Sequence, residues 1–114
     1  MHELGVICEV IKTVEQVAKE NNVKHVRKII LQVGELSGMA PEYIWDCFPA
    51  ATYKTSLEDC ELGLDIIPGI AKCRDCNEEF NAKECDLRCP KCGGVNLEAL
   101  TGREFIIKEI LVED

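Results

Sequence analysis

Residues 73–92 read CRDCNEEFNAKECDLRCPKC, and this stretch decides how the second half of the chain folds. It contains two Cys-x2-Cys pairs separated by 12 residues, which are enough for a short hairpin. Each pair can wrap a tight turn around a metal ion, and Gly93 after the second pair can adopt the positive φ that such a turn needs. The spacing therefore predicts a tetrahedral four-thiolate site of the zinc-ribbon type. The predicted ligands are Cys73, Cys76, Cys89 and Cys92.

The predicted site has a closed ligand shell. Four thiolates leave no position for water, so we expect a zinc ion that builds structure, and no enzyme activity. Iron is the competing metal, because Cys89-Pro-Lys-Cys92-Gly93 also resembles the second half of a rubredoxin site. Rubredoxin-like lobes depend on an aromatic core, whereas Phe80 is the only aromatic residue between the outer cysteines. This favours zinc, and it leaves a rubredoxin-like electron carrier as an alternative.

Four of the eight cysteines lie outside these pairs. Cys8, Cys47 and Cys60 fall on predicted core elements, where a cysteine usually acts as a small buried hydrophobe. Cys85 lies four residues before Cys89 and could be a spare or exchangeable ligand, but a free thiol is the simpler interpretation. A disulfide framework would need an export signal, which the N-terminal sequence does not show.

The charge balance argues against nucleic acid as a partner. Lys and Arg total 13 against 21 Asp and Glu, which gives a net charge of -8 that repels phosphate backbones. The cysteine-rich segment has no basic stripe and no interleaved aromatic residues. No stretch approaches the roughly 20 apolar residues of a membrane helix. We expect a cytoplasmic protein that binds neither nucleic acid nor membranes.

The first third of the chain predicts a helix followed by a strand. Apolar residues recur at intervals of three and four between Leu4 and Asn21, as on one face of a helix. They are Leu4, Ile7, Cys8, Ile11, Val14 and Ala18. β-Branched residues then dominate Val26–Leu36 and predict a strand. One side of this strand would carry Ile29, Leu31 and Val33.

A second helix is predicted to begin at Pro41, which suits a first helical turn. Its inward face would include Ile44, Trp45, Phe48 and Ala51. Pro49 lacks an N–H group and its ring crowds the carbonyl four residues back. We therefore expect this helix to kink or break near Trp45 to Phe48.

Two further strands complete the predicted fold. Cys60–Ile67 alternates between apolar and polar residues, and Gly102–Val112 returns to strand composition with a change of phase that a bulge would reconcile. The order of elements predicts an α+β fold: a small mixed three-stranded sheet backed by two helices, with an inserted four-cysteine zinc-ribbon lobe. We expect one domain from residues 1–69 plus 102–114, and a zinc-ribbon domain from residues 70–101.

The N-terminal sequence Met1-His2-Glu3 offers a second metal-binding pattern. At a free N-terminus it places an amine, a main-chain amide and an imidazole in one short chelate, which suits the square-planar preference of Ni(II) and Cu(II). Taken alone, an exposed His2 with Glu3 complementing the helix dipole is the simpler interpretation. Adjacent residues on a regular helix do not face each other, so a supporting or partner-contacting role suits Glu3.

Met1-His2-Glu3, the strand ending Val33-Gly34-Glu35-Leu36 and the late cysteine pairs together resemble the HypA/HybF family, the nickel-incorporation proteins of [NiFe]-hydrogenase maturation. The resemblance covers essentially the whole chain. It implies a nickel metallochaperone without catalytic residues, with nickel as transferred cargo at Met1, His2 and Glu3 and structural zinc at the four paired cysteines. The implied partners are the GTPase HypB and the [NiFe]-hydrogenase large subunit, and some members also supply urease. The alternative is a zinc-ribbon adaptor that bridges proteins without moving nickel.

Overall fold

The computed structural model describes residues 2–113, in which two α-helices and six β-strands form. The helices are α1 (Glu3–Glu20) and α2 (Pro41–Thr52). The strands are β1 (His25–Gly34), β2 (Glu61–Ile67), β3 (Ile70–Cys73), β4 (Glu79–Asn81), β5 (Leu97–Ala99) and β6 (Phe105–Glu113). One three-stranded sheet has the order β2-β1-β6, and a second has the order β4-β3-β5. The predicted α+β class is confirmed, and the cysteine-rich lobe adds a sheet of its own.

The chain divides into two compact units. The first comprises Met1–Gln32, Ala40–Asp65 and Ile106–Asp114, and the second comprises Val33–Met39 and Ile66–Phe105. The domain boundaries at 69/70 and 101/102 stay a prediction, because compactness alone does not show which part folds independently. Neither helix within residues 2–113 combines the length and the apolar composition that a membrane span requires.

Helix α1 packs against α2 in the first unit. Ile7, Ile11 and Val14 are buried on the predicted apolar face of α1. The apolar face begins one turn later than predicted, at Ile7, because Leu4 is 44% exposed and Glu3 is buried instead. The first buried side chain of α1 is thus the carboxylate of Glu3, where the periodicity predicts an apolar residue.

Helix α2 runs from Pro41 through Pro49 to Thr52, so a break near Trp45 to Phe48 is wrong, while a kink at this point stays a prediction. Pro49 lies in the last turn, where the missing N–H group removes a single helical hydrogen bond. The Thr52 hydroxyl donates to the Phe48 carbonyl at 3.0 Å and lies 3.4 Å from the Pro49 carbonyl. The side chain of Thr52 thus caps main-chain carbonyl groups at the C-terminal end of α2.

The exposure of Trp45 corrects the predicted inward face of α2. Ile44, Phe48 and Ala51 are buried as predicted, but Trp45 is 49% exposed. Successive helical residues project about 100° apart, so a side chain directly after the buried Ile44 leaves the core face. Trp45 is therefore exposed, although it is large and hydrophobic, because of its position on the helix.

Contacts between β1 and β2 advance in the same direction along both strands. Gly63 lies against Lys28 and Ile30, and further along the Gln32 amide donates to Asp65 at 3.4 Å. This order is that of a parallel pair, for which the chain needs the crossover that α2 provides. Asp65 also accepts a hydrogen bond from Lys108 on β6 at 2.8 Å, and this bond is the first cause that lowers the Asp65 pKa.

Contacts between β1 and β6 run in opposite directions. His25 Nδ1 lies 3.7 Å from Glu113 at one end, and the Gly34 N–H donates to the Glu104 carbonyl at 2.7 Å at the other. The sheet is therefore mixed, as the sequence predicted. In β6 two successive exposed residues, Lys108 and Glu109, interrupt the alternation of exposure at the predicted change of phase.

Gly34 ends β1 where two main-chain segments of the second unit meet. A Cβ atom built on Gly34 would overlap the carbonyl group of Gly102. Two residues further on, the Leu36 N–H donates to that same Gly102 carbonyl at 2.7 Å. Only glycine allows this approach, because any side chain would occupy the position of the opposing backbone.

Gly34→Ala should destabilise the protein by about 1–3 kcal/mol, the usual cost of overpacking against atoms that cannot move aside. Gly5→Ala is the matched control, since a Cβ on Gly5 in α1 has no atom within 4 Å. In a helix this control should stabilise by about 0.5–1 kcal/mol. Chemical denaturation measures both, and equal effects of the two substitutions would contradict the close approach at Gly34.

Candidate metal centre

The structure brings the four predicted sulfur atoms together. The Sγ atoms of Cys73, Cys76, Cys89 and Cys92 all lie within 4.8 Å of one another. The shortest separations are 3.6 Å between Cys73 and Cys92 and 3.5 Å between Cys76 and Cys89. A zinc ion with Zn–S bonds of about 2.3 Å places tetrahedral sulfurs about 3.8 Å apart, whereas a disulfide needs about 2.05 Å. The spacing fits a four-thiolate metal centre, and all eight cysteines are free of disulfides.

The first cysteine pair forms a tight turn at the end of β3. The Asn77 N–H donates to the Cys73 carbonyl at 2.7 Å, and the Cys73 N–H donates to the Glu78 carbonyl at 2.8 Å. Asn77 adopts a φ of 65°, a left-handed conformation that asparagine tolerates better than most residues. The turn points Cys73 and Cys76 toward the same position.

The second pair repeats this backbone arrangement. The Gly93 N–H donates to the Cys89 carbonyl at 2.8 Å, and the Cys89 N–H donates to the Gly94 carbonyl at 2.9 Å. Gly93 has a φ of 74°, as the sequence predicted for the residue after the pair. Two turns with the same hydrogen bonds thus face each other across the centre.

Main-chain amides of the second turn stabilise negative charge on sulfur. The Lys91 and Cys92 N–H groups approach the Cys89 sulfur at 3.4 and 3.5 Å. Burial raises the pKa of Cys89, but these amides and the neighbouring thiols outweigh it and lower the pKa to about 7. At Cys76 the Glu78 N–H lowers the pKa, yet burial and the nearby sulfurs raise it to about 12. Four adjacent thiols therefore do not ionise together without a cation, which a divalent metal would supply.

The metal ligands are also part of the hydrophobic core of this lobe. Its buried cluster consists of Ala71, Cys73, Phe80, Ala82 and Cys89. Two of these five residues are sulfur ligands, so very little apolar surface is left to fold the lobe without an ion. Such a small core usually requires a metal or disulfides.

A carboxylate at the end of β1 ties the segment after β1 to the lobe. Glu35 Oε1 accepts hydrogen bonds from the Gly69 N–H at 2.9 Å and from the Asn81 amide at 3.0 Å. The Gly69 bond is the main cause that lowers the pKa of Glu35, followed by the Asn81 bond. The neighbouring Leu36 packs against the apolar cluster of the lobe. In the sequence, Val33–Leu36 stands out only through the family resemblance, and no residue spacing indicates these partners of Glu35.

Cys85 stands apart from the four ligands. It is half-buried and packs against the apolar cluster of the lobe. Within residues 2–113, the four paired cysteines are the only group of three or more Cys, His, Asp or Glu side chains arranged to hold an ion. Packing alone therefore accounts for where Cys85 lies.

The N-terminal residues are placed differently from one another. His2 is exposed directly before α1, whereas Glu3 is only 5% exposed and its carboxylate accepts the Ala40 N–H at 3.4 Å. The two side chains thus differ in exposure, and their joint role in nickel binding stays a prediction. Met1, the third predicted nickel ligand, lies outside the residues that the structure describes.

The fold and the centre together define a class. An α+β chain with a closed four-thiolate ribbon is a metal-binding protein in which the ion builds structure, because no ligand position is open for catalysis. A family profile described as "Hydrogenase/urease nickel incorporation, metallochaperone, hypA" matches residues 1–112. The chain belongs to the HypA family, whose members are nickel-incorporation metallochaperones of hydrogenase maturation.

Relatives match along nearly their whole length. The hydrogenase maturation factor HypA of Streptomyces avermitilis is 40% identical over 116 residues, with 100% of this chain and 88% of the relative covered. That of Geotalea daltonii is 38% identical over 113 residues, with 98% and 99% covered. The solution structure of the Ni metallochaperone HypA from Helicobacter pylori matches with a TM-score of 0.67 and 24% identity, covering 98% of this chain and 97% of that one. At that identity the structural match supports the fold alone.

Cys76→Ser should reduce the metal content of the purified protein from one ion per chain to a small fraction, because three thiolates hold zinc far less tightly than four. Cys85→Ser is the matched control from the same lobe and should keep one ion per chain. Elemental analysis of both variants measures the ratio. Loss of the ion from the Cys85 variant would show that Cys85 serves as a ligand.

Proposed function

We propose that this chain carries Ni(II) to a [NiFe]-hydrogenase, binding the ion at Met1, His2 and Glu3 while a resident zinc ion holds the four-cysteine lobe. Membership of the HypA family supports the handling of nickel. The observation that carries the proposed site is the exposed His2 directly before α1, at the start of the chain. Nickel is cargo in this scheme, and no bond-making step is required of the protein.

The proposed nickel donors are the nitrogen atoms near the chain start. The Met1 amine, the His2 main-chain amide and the His2 imidazole form adjacent chelate rings, which suit square-planar Ni(II). Because the His2 imidazole is exposed, it can turn toward an ion, and later away from it, without breaking contacts in the protein core. A site of this kind can exchange its cargo with a partner, as a carrier requires.

Glu3 has a supporting role in this proposal. Its carboxylate is buried and accepts the Ala40 N–H at the start of α2, so it fixes the beginning of α1 rather than extending toward solvent. This contact attaches the first turn of α1 to the residue before α2.

Zinc is the proposed resident metal of the lobe. Four thiolates in tetrahedral spacing suit Zn(II), and the single aromatic residue of the apolar cluster, Phe80, contrasts with the aromatic core of rubredoxin-like lobes. The closed shell supports a scaffold role. An electron carrier with iron at this centre is the less favoured reading.

The proposed partners are those of the maturation pathway: the GTPase HypB and the hydrogenase large subunit. The relatives are named hydrogenase maturation factors, which supports hydrogenase as the recipient, with urease as the alternative. An adaptor that bridges proteins without nickel would show the same lobe. Nickel binding at His2 is therefore the property that separates the two functions.

His2→Ala should abolish the binding of one Ni(II) per chain by the zinc-containing, untagged protein, because it removes the imidazole donor. His25→Ala is the matched control, since His25 is the other of the two histidines and lies on β1 beside Glu113. Isothermal titration calorimetry with nickel measures both. Unchanged affinity in the His2 variant, or equal loss in the two, would refute this ligand set.

Nickel affinity should fall as the pH is lowered from 8 to about 6, because the imidazole and the main-chain amide must both give up protons to bind the ion. Protons and nickel then compete for the same nitrogen atoms, so the affinity for nickel decreases at acidic pH. Titrations at several pH values, with zinc content checked at each, provide the measurement. A flat profile would point to carboxylate ligands instead.

A further inference from the structure

We propose that Cys92 is the exchangeable ligand of the zinc centre, and that Gly94 leaves the opening through which an incoming thiolate reaches the ion. The inference rests on the proposed zinc site and adds an entry route to it. It assigns to the second turn a property that the first turn lacks.

The four sulfur ligands differ in exposure although their turns share one backbone pattern. Cys73 and Cys89, the first cysteines of each pair, are buried. The second cysteines occupy matching positions, yet Cys76 is half-buried and Cys92 is exposed. The asymmetry between Cys76 and Cys92 therefore has a cause outside the turn geometry.

The residue two positions after each pair explains this difference. The N–H groups of Glu78 and Gly94 form the same hydrogen bonds, with the sulfurs of Cys76 and Cys92 respectively. A Cβ atom built on Gly94 would lie 3.1 Å from an Asp75 carboxylate oxygen, 3.2 Å from the Cys92 sulfur and 3.6 Å from the Cys73 sulfur. At the matching place in the first turn Glu78 carries a side chain, whereas Gly94 has none and the Asp75 carboxylate borders this side of the Cys92 sulfur.

The two turns also differ in the secondary structure that holds them. Cys73 is the last residue of β3, which pairs with β4 on one side and with β5 on the other. Cys89 and Cys92 lie in a segment without strands, after two residues with positive φ, Asp86 and Leu87. Cys92 can therefore leave the ion while the paired strands keep the first turn in place.

The exchange is a ligand substitution without oxidation or reduction. The sulfur lone pair of an incoming thiolate would form a bond to zinc, the bond between zinc and the Cys92 sulfur would break, and the released thiolate would take a proton from water. The centre would have four sulfur ligands before and after the exchange. Cys73, Cys76 and Cys89 would hold the ion during the step.

The test compares the reactivity of Cys92 and Cys76 in the full-length zinc-containing protein. Limited alkylation with N-ethylmaleimide, mapped by peptide mass spectrometry, should modify Cys92 several-fold faster than the other three ligands, because access limits thiolate reactivity. Equal rates at Cys76 and Cys92 would overturn the proposal.

Two reciprocal variants locate the cause. Gly94→Ala adds a methyl group beside the Cys92 sulfur and should slow its alkylation several-fold without changing Cys76, whereas Glu78→Gly should speed alkylation of Cys76. If Gly94→Ala loses its zinc through crowding, the Glu78 variant still decides the question. No change in either rate would refute the role of Gly94. A purified protein without any zinc would instead refute the proposed centre itself.

Discussion

Repulsion among four thiolates is the constraint on which the second half of the molecule depends. Their sulfur atoms lie within 4.8 Å of one another, and only a cation at their centre lets all four carry negative charge at once. Cys73 and Cys89 are also two of the five buried residues of the lobe, so the ion and the apolar core are not separate sources of stability. Removing the ion would remove the reason for those two side chains to be buried together.

Glu35 and Leu36, which follow β1 in the sequence, are also held by contacts with the metal-binding lobe. The carboxylate of Glu35 accepts one hydrogen bond from Gly69 and one from Asn81, and the Leu36 side chain covers the apolar cluster. Residues 33–39 therefore belong to the compact unit that contains the cysteines, although they follow β1 in sequence. Residues 33–39 connect β1 to α2. Because Glu35 and Leu36 contact the lobe, we expect the conformation of this connection to depend on whether the lobe is folded.

The sequence predicted the features that depend on spacing. The two cysteine pairs, the buried side of β1 and the apolar face of α1 follow from periods that a single chain segment displays. The inward placement of Trp45 is wrong, because this residue directly follows the buried Ile44 and is 49% exposed, and no break occurs at Pro49, because this residue lies in the last turn of α2. The partners of Glu35 could not be predicted, because they lie 34 and 46 residues away and no local pattern marks them.

Under the proposed function the two metals are kept apart by ligand chemistry. Nitrogen donors at the chain start suit square-planar nickel, whereas four tetrahedral thiolates suit zinc, yet thiolates also bind other transition metals when they are accessible. If all four sulfurs were exposed, other transition metals could replace zinc easily. If all four were buried, no incoming ligand could reach the ion after folding. With Cys92 alone exposed, an incoming donor can reach the ion while three ligands retain it, two of them buried. The arrangement limits exchange to one ligand at a time, and an arriving nickel ion cannot displace zinc without opening the buried side of the lobe.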